Sequence, residues 1–113
     1  MPVPETSTDG GVLVIHLPRR LDADSSPEVG AGLQSIAEQS PGRILIDCSK
    51  TDYISSAGVR VLLVFVRAVQ ERGSTVALAS LSRLVLQVFE MTGFDRIFTI
   101  YKTRKDALKQ MQR

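Results

Sequence analysis

The chain has 113 residues, 43% of them hydrophobic and 23% charged, which suits one folded domain over residues 1–113 and excludes intrinsic disorder. The one cysteine, Cys48, excludes a disulfide framework or cysteine-rich zinc site and points to a reducing, cytoplasmic compartment, and no segment approaches the roughly 20 apolar residues of a membrane helix. With 14 Lys and Arg against 12 Asp and Glu the net charge is +2, and with 2 tyrosines and no tryptophan nothing supports direct nucleic-acid binding.

The first ten residues are polar, carry Glu5 and Asp9, and do not form a secretory signal. Residues 1–6 are expected as an edge strand, although Pro2 and Pro4 weaken the pattern. GVLVIHL over 11–17 is short, β-branched and bounded by glycines and Pro18, which predicts a central strand. Ser26 followed by Pro27 predicts a helix capped at Ser26, with Val29, Leu33, Ile36 and Ala37 on one face and Pro41-Gly42 as the stop. RILIDC over 43–48 is a second strand.

GVRVLLVFVRAVQER over 58–72 is too long for a typical strand and ends at Gly73, so it reads as a helix capped by Ser55 or Ser56. A strand over 75–79 follows. Ser82 begins a helix that ends at Gly93, with Leu84, Val85, Val88 and Phe89 as its expected apolar stripe. Residues 96–101 are expected as a strand. Residues 103–112 form a last helix, with Thr103 and Asp106 approximating a capping box. The basic residues of 101–113, Lys102, Arg104, Lys105, Lys109 and Arg113 against Asp106, read as a solvated last helix whose cations suit the dipole. The order β-β-α-β-α-β-α-β-α implies an α/β fold, with a mixed, mostly parallel sheet of four to five strands and about four helices.

In such a fold, ligands and partners meet the loops beyond the carboxyl ends of the strands. The loop over 47–58, DCSKTDYISSAG, leads from a strand into a helix and places Ser55 and Ser56 where that helix begins. The hydroxyls there serve as helix caps, or as the seat of an esterified phosphate held by unpaired N–H groups and the helix dipole. A serine hydrolase is excluded: the first glycine of G-x-S-x-G is missing, and the only histidine, His16, lies upstream in a strand. No Walker loop or dinucleotide fingerprint occurs. Asp22 and Asp24 form a short acidic pair near Asp9 that suits a turn better than a metal, and Cys48 reads as a small buried hydrophobe. Arg60, Val64, Arg67 and Glu71 form the most polar line of the long helix, leaving Val64 as an exposed apolar residue between two arginines, a composition fit for a protein interface.

Four segments together resemble the STAS domain, specifically the stand-alone bacterial anti-sigma factor antagonists. They are Leu21-Asp22-Ala23, the run RILIDCSKTDYISSAGVRVLL over 43–63, GSTVAL over 73–78, and MTGFDRIF over 91–98. The run from Ile54 to Leu63 is the most specific of these. The resemblance implies no enzyme and no cofactor or metal. It implies a protein that, when unphosphorylated, binds an anti-sigma factor that is also a serine kinase, and thereby regulates sigma-factor-dependent transcription. Phosphorylation of one loop serine ends that complex, and a metal-dependent serine phosphatase restores it. The acceptor falls on Ser56, with Ser55 as a secondary candidate at a position where aspartate is common. The implied partner surface comprises Asp22, Asp24, Ser55, Ser56, Ala57, Gly58, Arg60, Val64 and Arg67. Arg19 stands where the family commonly has glycine, so the shape of that neighbouring loop is open. The alternatives are a STAS regulatory or scaffold module of a transporter, lipid-transport or stress-sensing complex, and a nucleotide site at the serine loop. Without a membrane span, a free-standing protein is expected.

Overall fold

The computed structural model describes residues 4–39 and 41–112. Strands β1 (Glu5–Asp9) and β2 (Val12–His16) form an antiparallel hairpin in which Asp9 pairs with Val12. The two linking residues, Gly10 and Gly11, have φ of 56° and 82°, the double positive φ that a tight hairpin turn requires. The edge strand therefore lies at Glu5–Asp9 rather than over residues 1–6, of which 1–3 fall outside the described residues. Pairing with β2, not its own composition, makes this polar segment a strand.

Strands β4 (Arg43–Asp47), β6 (Thr75–Ala79) and β7 (Ile100–Tyr101) extend the sheet in parallel, giving the order β1-β2-β4-β6-β7. A separate two-stranded parallel ladder joins β3 (Arg20–Leu21) to β5 (Tyr53–Ile54). Alternation within the strands divides the core. Ile44, Ile46 and Leu78 face helices α1 (Ser26–Glu38), α2 (Ser56–Glu71) and α3 (Arg83–Thr92). Leu45, Ala77 and Ala79 face α4 (Arg104–Met111) through Ala107 and Met111. The architecture is thus α/β, with a mixed, mostly parallel five-stranded sheet and four helices.

Three expectations shift. The segment over 96–101 is mostly not strand, because Gly93 turns the chain left-handed into a 3-10 turn, Phe94–Arg96. Phe98 then enters the core edge-on to Phe89, with ring centroids 5.3 Å apart, and only Ile100 and Tyr101 reach the sheet. On α3, capped by Ser82, the core face is carried by Val85 and Phe89, whereas Leu84 is 67% exposed. The cap of α1 is Ser25, one residue before Ser26, and Ser26 is buried.

The beginning of α2 is fixed by close approach. A Cβ on Gly58 would lie 2.5 Å from the Leu21 carbonyl oxygen and 2.9 Å from side-chain carbons of Leu21 and Ile54. Nothing larger than glycine fits between the first turn of α2 and β3. Gly58→Ala is expected to cost about 1–3 kcal/mol by overpacking against backbone, outweighing the roughly 1 kcal/mol that alanine otherwise gains over glycine inside a helix. Urea denaturation checks this, and a variant as stable as the parent would contradict it.

Candidate functional site

The loops after β2 and β4 meet at one end of the sheet. The Arg19 carbonyl accepts from the Asp52 amide at 2.8 Å, the Arg19 guanidinium pairs with the Asp52 carboxylate at 2.6 Å, and the Thr51 hydroxyl donates to the Pro18 carbonyl at 2.8 Å. Arg19, at the position where the family commonly has glycine, thus meets Asp52 through both its carbonyl and its guanidinium. One residue on, the Arg20 guanidinium lies 4.6 Å above the Tyr53 ring. Neither member of that contact stood out in the sequence, because stacking between two loops follows from the β3–β5 register alone.

Asp22 organises the entry to α1. Its carboxylate accepts from the amides of Asp24 and Ser25 at 3.0 and 3.1 Å and meets Arg20 at 3.4 Å. The Ser25 hydroxyl lies 3.0 Å from the Arg20 carbonyl oxygen and 3.2 Å from that same carboxylate, so its single proton can go to either. The Ser25 amide above all holds the Asp22 carboxyl below the usual aspartate range, against a smaller opposing effect of burial. Asp24 is exposed beside it.

Ser55 and Ser56 have different tasks. Ser55 is the N-cap of α2, half-buried, with its Oγ 3.3 Å from the Gly58 amide that donates to it and its own amide donating to the Leu21 carbonyl at 2.9 Å. Ser56, the first residue of the helix, is exposed, and its hydroxyl has no hydrogen bond among the described residues. Of the two hydroxyls, that of Ser56 is open to chemistry, at the positive end of a 16-residue helix.

From Ser56 the exposed line of α2 runs through Arg60, Val64, Arg67 and Glu71, and Val64 is 65% exposed as its spacing implied. Ala57 is half-buried beside Ser56. Gly58 is buried under this surface, so it sets the spacing of the site rather than its outer face. A cleft of about 610 Å³ separates the first turns of α1 and α2, lined by Ala23, Ser26, Gly30, Ser56, Ala57 and Arg60 among others. Ser26, expected only as a cap, is 5% exposed, and its Oγ has no hydrogen-bond partner among the described residues. A second cleft of about 540 Å³ continues along α1 and α2, with an apolar wall that includes Leu33, Val61, Val64 and Phe65. Arg60 borders both clefts.

The remaining titratable residues lie elsewhere. His16 Nε2 is 2.9 Å from the Ser7 hydroxyl and its Nδ1 is 3.8 Å from the Asp47 carboxylate. Arg104 joins that carboxylate at 3.4 Å to Asp9 at 3.3 Å, so this basic residue braces the sheet instead of standing in solvent. Burial, with the Asp47 charge beside it, pushes the Cys48 thiol up and keeps it protonated. No three His, Cys, Asp or Glu among the described residues gather as a metal site, and no helix there is long and apolar enough to cross a membrane.

Two outcomes follow from this geometry. Ser26→Ala is expected to raise stability by about 1 kcal/mol, read by urea denaturation, because it removes a dehydrated hydroxyl that has no partner. A loss of stability would show that the hydroxyl is satisfied in solution. The depressed folded pKa of Asp22 contributes stability above the unfolded pKa that disappears as pH falls through the folded value. The Asp24 and Ser25 amide resonances are therefore expected to titrate with a midpoint below the ordinary 3.8, and a midpoint at or above it would contradict the Asp22 turn.

The sequence profile described as "STAS domain" matches residues 3–107. The "Putative anti-sigma factor antagonist BtrV" of Bordetella bronchiseptica is 30% identical over 97 residues, covering 86% of this chain and 84% of that protein. The "Anti-sigma F factor antagonist" of Paenibacillus polymyxa is 23% identical, covering 90% and 88%. Among solved structures, an anti-sigma factor antagonist from Mycobacterium paratuberculosis superposes with a TM-score of 0.89 at 20% identity, covering 98% of this chain and 94% of that one. Profile, relatives and fold agree over nearly the whole length, and the chain belongs to the STAS domain family, among proteins named as anti-sigma factor antagonists.

Proposed function

We propose that this protein is a cytoplasmic anti-sigma factor antagonist that works by partner switching and has no catalytic role of its own. The unphosphorylated protein binds an anti-sigma factor that is also a serine kinase, through the surface around the first turns of α1 and α2. Asp22, Asp24, Ser55, Ser56 and Ala57 form the end of that surface, and Arg60, Val64 and Arg67 extend it along α2, with Gly58 beneath. An exposed apolar residue flanked by arginines provides both desolvation and directional contacts, the composition of energetically dominant interface positions.

One observation carries the reading: Ser56 is exposed and unbonded at the start of α2, while its neighbour Ser55 is committed to the cap. In the kinase complex the γ-phosphoryl group of ATP passes to Ser56 Oγ, ADP leaves, and the hydroxyl proton is released. The product carries about −1.5 to −2 charges at neutral pH. Within an interface that charge must be desolvated and sterically accommodated, and a penalty of about 3 kcal/mol weakens binding roughly 100-fold. A metal-dependent serine phosphatase returns the protein to its binding form, and sigma-factor-dependent transcription follows the proportion of the two forms.

Peptide mass spectrometry of the protein captured from its own cells is expected to find phosphate on Ser56 and a serine kinase of the anti-sigma type among the co-purifying proteins. Against that kinase, Ser56→Ala is expected to bind persistently, whereas Ser56→Asp weakens binding by about tenfold or more. Equal binding by the parent and both variants, or an unmodified Ser56 in a membrane or multi-subunit complex, would overturn the switching role.

A further inference from the structure

We propose that the outward face of α3 is a self-association surface, on which two copies of this chain pair their α3 helices antiparallel across a two-fold axis near Gln87.

The surface stands out by its exposure. Leu84 and Met91 are 67% and 84% exposed, the two most exposed of the large hydrophobic residues among the described residues. They stand seven residues apart, so two helical turns bring them onto one stripe, and half-buried Val88 lies between them. The inward side of α3 is held in the core by Val85 and Phe89, so the helix cannot rotate to hide the stripe. A single exposed apolar residue is ordinary, whereas an apolar stripe along one helix is what helix pairing buries.

The charges beside the stripe select a second copy as its occupant. Arg83 and Glu90 are exposed, also seven residues apart, and lie along one edge of the stripe. Neither has an ion pair among the described residues. Both pairs of residues are centred near residue 87. A two-fold axis there sets Leu84 of one copy against Met91 of the other, and Arg83 of one copy beside Glu90 of the other, each contact occurring twice. Gln87 lies at the axis, where an amide that both donates and accepts can meet its own copy. In a parallel pair the charged edge would meet the opposite edge, that of Val88, and Arg83 would gain no partner. The face is therefore complementary to itself in one orientation.

The same geometry sets the strength and the consequence. Ten residues of helix span about 15 Å, and a contact of that length buries less than the roughly 800 Å² per partner of a standard interface. The dimer is accordingly weak and reversible, with a Kd of about 0.1–1 mM. Helices α1, α2 and α3 cross successively between β2, β4, β6 and β7, which puts α2 between the other two. Pairing through α3 thus leaves the clefts between α1 and α2 uncovered and presents them twice.

The test uses the full chain, with sedimentation equilibrium and amide NMR from about 0.05 to 2 mM, a range that brackets this Kd. The mass is expected to rise toward a dimer, with concentration-dependent shifts confined to α3 and its neighbours. Leu84→Asp is expected to abolish association in this range. Arg83→Glu and Glu90→Arg are each expected to weaken it roughly tenfold, and the double reversal to restore it, since the two charges then exchange places. All these side chains are exposed, and unchanged amide resonances outside α3 confirm that each variant folds. A monomer throughout the range, association indifferent to Leu84→Asp, or a double reversal no tighter than the single ones would overturn the pairing.

Discussion

The candidate site depends on the contact between Gly58 and the backbone of Leu21. The missing Cβ lets the first turn of α2 press against β3, and the Ser55 amide closes the contact by donating to the same Leu21 carbonyl at 2.9 Å. The β3–β5 ladder, with Leu21 opposite Ile54, holds the two loops in register. Leu21, Ile54 and Val59 all sink into the core beneath. A segment that looks like two surface loops is therefore anchored like a strand, and its exposed residues inherit that fixity. Ser26, Ser56 and Arg60 line one cleft because their neighbours are buried, not because they attract one another.

This anchoring decides what a charge at Ser56 can do. A phosphate on a mobile loop could be relieved by moving the loop, and its effect on a partner would be diluted. Here Ser56 begins a helix whose opposite face carries Val59, Leu62, Val66 and Val69 in the core, so it cannot retreat. A phosphate placed there would have to be absorbed by the domain or imposed on whatever binds this surface. Asp22 shows how this end of the molecule accommodates negative charge: two amides and an arginine hold its carboxyl in the ionised form. Ser55, meanwhile, is half-buried and engaged as the cap, a task serine performs as well as aspartate.

The parts legible in the sequence are those with periodicity or punctuation. β2, β4 and β6 appear as β-branched runs, α2 as an apolar run too long for a strand, and the polar line of α2 as residues spaced by three and four. Ser82, Thr103 and Gly93 mark helix ends by their chemistry, and each does so in the structure. The parts not legible depend on distant partners. β3 and β5 have two residues each, too few for any period, and exist because Arg20 and Leu21 meet Tyr53 and Ile54. β1 is polar and is made a strand by a hairpin whose signal, Gly10-Gly11, lies beyond the segment that looked extended. Leu84 shares the helical spacing of Val85 and Phe89 but faces outward, since amphipathic spacing defines a face without defining its width. The burial of Ser26 without a partner has no sequence signal, because it arises from two helices approaching each other.

Helix α2 keeps a buried apolar face and an exposed polar line on different sides. Its inward residues, Val59, Leu62, Phe65, Val66 and Val69, carry the stability of the domain, and its outward line, Arg60, Val64, Arg67 and Glu71, contributes little to it. Exposed charges of this kind are screened and mobile, so their replacement leaves the fold nearly unchanged. Residues along this line can therefore be replaced without disturbing the core. The N-terminal end is different: there Gly58, Ser55 and Leu21 belong to both sides at once, and the surface shares its backbone with the core. The first turn of the helix is thus fixed by the core, and the exposed line beyond it is free to vary without loss of the fold.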